Sequence, residues 1–75
     1  MLSREVVKYF LEEELKERST KIPKGISKET LTETFCRYTE DDYYEWLKDN
    51  FKTFFNYGNP DWDWIKDKIG HYKSN

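Results

Sequence analysis

A chain of 75 residues with a formal charge of −2 has room for one domain and no more. At that size only roughly 60% of the unfolded chain's surface leaves water on folding, so such domains are often supplemented by disulfides, metals or self-association. A single cysteine excludes an internal disulfide and a single histidine leaves a metal poorly supplied; self-association, most simply as a homodimer, is the expected supplement.

The first element reads as a helix over residues 4–18. Ser3 is a favourable N-cap, and Glu5 lies in the first turn, where the macrodipole favours an acid. Val6, Val7, Phe10, Leu11 and Leu15 recur at i, i+3 and i+4 and make one apolar face. Glu12–Lys16 and Glu14–Arg18 are ion pairs at i, i+4 in the favourable orientation. Glu14 falls inside the apolar arc, with its stem on the core rim and its carboxylate reaching for water or Arg18. Residues 19–27 then form a loop. Pro23 removes a backbone donor and fixes φ, while Gly25 permits a positive φ. Lys21, Lys24 and Lys28 make this the most basic part of the chain.

Ser27 caps a second, shorter helix, with Ile26 and Leu31 spaced as a hydrophobic staple. Leu31, Phe35 and Tyr38 continue its inward face. Its threonines leave an alternative open, in which residues 30–38 form a strand. No other segment alternates well enough to partner it, so its mate would be the same strand of a second copy.

Residues 39–57 read as a third helix and as the spine of the fold. Thr39 and Asp42 give a T-x-x-D capping pattern, with Glu40 and Asp41 in the first turn. Tyr44, Leu47, Phe51, Phe54 and Phe55 form an arc of about 100°, the usual width of a core-facing stripe. Tyr43, Trp46 and Tyr57 widen that arc to more than a short helix can bury against two others. Gly58 stops the helix, and Asn59 as N-cap, Pro60 at N1 and Asp61 at N2 open a fourth. Trp62, Ile65, Ile69 and Tyr72 share one face of it, and Trp64 lies away from that face. The pattern predicts an all-α domain over residues 1–75, a small bundle of three to four short helices. The alternative is an α+β fold with a strand over residues 30–38.

The same residues bound the chemistry. Nucleophilic catalysis needs a nucleophile, a base within reach and a group to orient it. Cys36 and His71 are the sole candidates, and His71 lies near a fraying terminus. The carboxylate pairs Asp41/Asp42, Asp61/Asp63 and Asp63/Asp67 fall on helix starts and polar faces, not in a cleft that would raise a pKa. Asp61-x-Asp63 also lacks the glycine and the distal glutamate of a calcium loop. The expectation is a protein that is not an enzyme and uses no cofactor or metal. The first residues run straight into the amphipathic pattern, and no stretch approaches the ~20 apolar residues of a membrane span. A cytoplasmic protein without membrane contact is therefore expected.

Charge is unevenly spread. Residues 1–39 carry eight basic and seven acidic side chains, a net +1, whereas residues 40–67 carry eight acidic and three basic, a net −5. Such a field repels nucleic acid and suits a basic protein surface. It also argues against a helix-turn-helix over residues 27–50, because a recognition helix is basic and Lys48 is the single base in residues 40–51. Trp and Tyr dominate interface hot spots. The surface expected to grip a partner is thus aromatic at Tyr43, Trp46, Tyr57 and Trp64. It is acidic at Glu40, Asp41, Asp42, Glu45, Asp49, Asp61 and Asp63.

Two resemblances accompany these residues. Lys48-Asp49-Asn50-Phe51-Lys52-Thr53-Phe54-Phe55 resembles the sliding-clamp-binding box of replication proteins in its hydrophobic-x-x-aromatic-aromatic portion, with Lys48 where that family has glutamine. The acidic, aromatic composition of residues 40–67 is similar to that of small bacteriophage proteins that inhibit host DNA-handling enzymes, and a chain without Ala or Gln matches the style of AT-rich phage genes. That resemblance implies a DNA mimic, with carboxylates in place of phosphates and aromatic anchors supplying affinity in a basic groove. A structural or accessory subunit with no inhibitory role is the alternative.

Overall fold

The computed structural model describes residues 3–39 and 43–73, and among these it contains four α-helices and no strand. Helix α1 spans Arg4–Glu17, α2 Lys28–Thr39, α3 Leu47–Phe54 and α4 Trp62–Lys73. Short 3-10 turns lie at Tyr44–Trp46 and Asn56–Gly58. No helix among the described residues is long and apolar enough to cross a membrane.

Helix α1 begins where Ser3 turns extended, and the Ser3 carbonyl accepts the Val7 N–H at 3.0 Å, although the Ser3 hydroxyl makes no capping bond. At its other end the Ser19 N–H reaches the Lys16 carbonyl and the Thr20 N–H the Leu15 carbonyl, at 3.0 and 2.9 Å. This is a Schellman closure, in which the residue after the C-cap adopts a left-handed conformation. Ser19 does so with φ +54°, in the position where glycine is the unstrained residue. Val7, Leu11 and Leu15 face the core, whereas Val6, expected on the same face, is exposed. Glu12 pairs with Lys28 at 3.8 Å instead of with Lys16.

Helix α2 starts as its sequence implies, with the Thr30 N–H donating to the Ser27 hydroxyl at 3.0 Å. Its threonines do not make a strand, for a physical reason. Thr32 and Thr34 are buried, and each hydroxyl donates to the carbonyl four residues back, Lys28 at 2.7 Å and Thr30 at 2.9 Å. With the polar atom absorbed by the helix itself, threonine acts as a compact side chain that lets neighbouring helices approach. Thr32 faces the crevice toward α1 and Thr34 the crevice toward α4. Helix α2 packs against both α1 and α4, and so stands at the centre of the bundle.

Residues 39–57 are not one helix. Thr39 ends α2, its hydroxyl donating to the Cys36 carbonyl at 3.2 Å. The expected capping residues Glu40, Asp41 and Asp42 lie outside the described residues. The chain re-enters through the turn Tyr44–Trp46, runs through the two turns of α3, and closes in a second 3-10 turn. There Asn56, Tyr57 and Gly58 all have positive φ, at 47°, 57° and 93°. The final helix starts later than Asn59-Pro60 suggests: the N-cap is Asp61, whose Oδ1 accepts the Trp64 N–H at 3.2 Å.

The core is an aromatic cluster on an aliphatic floor. Val7, Leu11 and Leu15 of α1 and Leu31 of α2 meet Phe35, Leu47, Phe51, Phe54, Phe55 and Ile65. Phe54 and Phe55 meet edge to face at 4.8 Å, Phe35 meets Phe54 the same way at 5.5 Å, and Phe51 lies 4.7 Å from Phe55. Such pairs add about 0.5–1.5 kcal/mol each beyond the area they bury. The left-handed Ser19 offers a direct test of the α1 closure: Ser19→Gly should raise unfolding stability by about 0.5–1 kcal/mol in urea denaturation. A loss of stability would mean that the closure does not form.

Candidate functional site

Three of the four aromatic residues expected to grip a partner remain open to solvent. Tyr43 is extended and 62% exposed, Trp46 ends the first 3-10 turn and is 48% exposed, and Tyr57 is 78% exposed. Glu45 and Asp49 are exposed on the same stretch as Tyr43 and Trp46. Tyr57 stands beyond the opposite end of α3, in its left-handed turn.

Trp64 belongs elsewhere. It is half-buried, with its ring 5.2 Å from Tyr38 and 5.4 Å from Phe54, and the Lys68 ammonium lies 5.5 Å above it. It therefore seals the junction of α2, α3 and α4 and is not a free flank. Of the acidic residues, Asp61 caps α4, Asp63 is exposed in the first turn of α4, and Glu40, Asp41 and Asp42 are outside the described residues. Phe51, Phe54 and Phe55 are fully buried, so the stretch that resembles a clamp-binding box is spent on the core.

Tyr44, which helical spacing places in the core stripe, is exposed, yet it is not idle. The Ser3 N–H donates to its hydroxyl at 3.0 Å, which ties the turn to the start of α1. That contact brings the Tyr43–Trp46 stretch alongside the first turn of α1, where Val6 is also exposed. The signal for this extension was absent from a helical wheel, because it depends on a contact across 41 positions of the chain.

Away from this stretch, one carboxylate gathers two arginines. Arg4 grips Glu33 with two bonds at 2.8 and 3.2 Å, and Arg37 adds a third at 2.8 Å. Arg37 also donates to the Tyr72 carbonyl at 3.2 Å, so one carboxylate links α1, α2 and the last turn of α4. The hydrogen bonds from Arg4 and Arg37 hold the Glu33 carboxyl down to about 2, and the Glu33 contact in turn raises Arg4. Cys36 is buried beside this network, and burial pushes its thiol above the ordinary value, away from the thiolate form. The larger surface grooves, of about 370 Å³ between α2 and α4 and about 830 Å³ beside the end of α1, contain members of these ion pairs and of the Lys28–Glu12 pair. Among the described residues no three His, Cys, Asp or Glu side chains gather as a metal-ligand set.

Against protein-family models, curated proteins and solved structures, the chain gives no significant match. The candidate surface therefore rests on geometry alone. The most sharply defined titration is that of Glu33. Its folded pKa lies below the unfolded value of about 4.3, so its stabilisation is present above pH 5 and is lost as pH falls toward 2. The stability difference between the wild type and Glu33→Gln should accordingly shrink between pH 5 and pH 2 in urea titrations followed by circular dichroism. A difference independent of pH would contradict the three-residue network.

Proposed function

We propose that this protein is a non-catalytic interaction module that grips a partner protein through Tyr43 and Trp46 at one end of α3 and Tyr57 at the other, with Glu45 and Asp49 beside the first two turning that end toward a basic partner. The observation that carries this reading is Tyr57. A side chain with a Cβ in the left-handed region costs about 1–2 kcal/mol, and Tyr57, at φ 57° and 78% exposed, returns almost no burial for that cost. Backbone strain clusters at functional sites, and exposed Tyr and Trp are the side chains that interface hot spots favour. In the sharper form of the proposal the partner is a DNA-handling protein, its basic groove is the target, and the carboxylates stand where phosphates would lie. An inhibitor of this type binds with a steep dependence on salt and competes with DNA.

Stability and binding should respond differently to the two classes of aromatic. Trp46→Ala and Tyr57→Asn should change unfolding stability by no more than about 0.5–1 kcal/mol, Asn being tolerant of the left-handed region. Each should reduce capture of partner proteins from a bacterial lysate at least about tenfold, as loss of a hot-spot aromatic does. Trp64→Ala should instead destabilise the fold by about 2–3 kcal/mol. Equal capture by wild type, Trp46→Ala and Tyr57→Asn would overturn the proposal, and capture insensitive to salt and to added DNA would remove its sharper form.

A further inference from the structure

Some carboxylates of this protein are paired with cations of the same chain and others are not. Glu12, Glu14, Glu29 and Glu33, on α1 and α2, each lie 2.6–3.8 Å from a lysine or arginine of the same chain. Glu45 and Asp49, like Glu5, Glu17, Asp63 and Asp67, have no cationic partner among the described residues, although lysines stand within reach in sequence. They differ from those four in flanking an exposed indole. Lys48 follows Glu45 by three positions, yet its ammonium lies 4.0 Å from Glu14, with the side chain largely exposed. Lys52 follows Asp49 by three positions and forms no ion pair with it. Glu45 in the 3-10 turn and Asp49 in the first turn of α3 are both exposed, and the about 120° and 100° steps of the two helix types leave them within roughly 80° of each other about the axis. The half-open indole of Trp46 follows Glu45 and stands three positions before Asp49.

An accessible indole beside two unneutralised carboxylates suits one kind of cation best. A guanidinium is planar and weakly hydrated, stacks on aromatic faces, and offers forked donors to carboxylates, whereas an ammonium is a strongly hydrated point charge. The fold already uses this arrangement internally. The Arg18 guanidinium lies 4.8 Å from the Phe51 ring centre while donating to Glu14 at 2.6 Å. We propose that the Trp46 face captures an arginine side chain of the partner, with the indole stacked on the guanidinium and Glu45 and Asp49 accepting its N–H donors. This rests on the reading of the surface as a site for a basic partner, and it adds the residue type that is recognised. Anionic partners such as nucleic acids or acidic lipid headgroups are disfavoured by the same two carboxylates.

The test uses the intact chain with hexa-arginine and hexa-lysine peptides, read by the indole N–H resonances of the three tryptophans, with Trp46 assigned from Trp46→Phe. Hexa-arginine should shift the Trp46 resonance saturably and leave Trp62 and Trp64 in place, with hexa-lysine binding about tenfold more weakly. The double variant Glu45→Gln/Asp49→Asn should weaken the hexa-arginine response about tenfold, while Asp63→Asn, outside the face, leaves it unchanged. Unchanged Trp62 and Trp64 resonances in these variants verify the fold. Equal affinity for the two peptides, or a response indifferent to the double variant, would overturn arginine selection and leave the basic-partner reading standing. No response to either peptide would overturn both.

Discussion

A buried carboxylate governs how this bundle closes. Glu14 sits in the apolar arc of α1 with its side chain 9% exposed, and an unpaired charge there would cost several kcal/mol. Its partner is Arg18, one turn on, which donates to the carboxylate at 2.6 Å and to the Glu14 carbonyl at 3.0 Å. To make those bonds Arg18 lies over Phe51 and against Gly58. A Cβ at Gly58 would meet the Arg18 Cδ at 2.5 Å, and φ there is +93°, so only glycine suits the position. One ion pair thus ties together the end of α1, the middle of α3 and the turn after it. The approach of Lys48 to the same carboxylate adds the start of α3.

That arrangement divides the aromatic residues by chemistry. Phe35, Phe51, Phe54 and Phe55 have no polar atom and are fully buried. Tyr38, Trp62 and Trp64 stand at the rim of the core, where a ring can pack while its polar atom stays near water. Tyr43, Tyr44, Trp46 and Tyr57 face outward along the segment that Arg18 holds from its inner side. The proposed binding surface is thus the reverse side of the segment that contributes Phe51 and Phe54 to the core.

Much of the architecture was legible because its determinants are local. Ser27 with Thr30, the Pro23–Gly25 break, and the i, i+3, i+4 apolar spacing of α1 and α2 act over a few residues, and the all-α bundle follows from them. What was not legible depends on phase or on distant contacts. A 3-10 turn advances about 120° per residue where an α-helix advances about 100°. Three residues of it at Tyr44–Trp46 rotate the wheel by roughly 60°, which is why Tyr44 does not join Leu47 and Phe51 inside. Trp64 lies off the main apolar face of α4, yet α2 and α3 reach around it through Tyr38 and Phe54 and widen the buried arc. Exposure of Trp46 and Tyr43 was legible from surplus alone, since the segment carries more aromatic surface than so small a core can hold.

A double-mutant cycle on Glu14 and Arg18 measures how far this ion pair holds the bundle together. Glu14→Gln, Arg18→Met and the double variant would be compared with wild type by urea unfolding. Arg18 is one-third exposed, which moderates the value expected for a buried pair. A pair that organises the fold should show a coupling of about 1–3 kcal/mol, with the double variant less destabilised than the sum of the single ones. Single-variant effects that add within about 0.5 kcal/mol would show that the pair does not organise the fold.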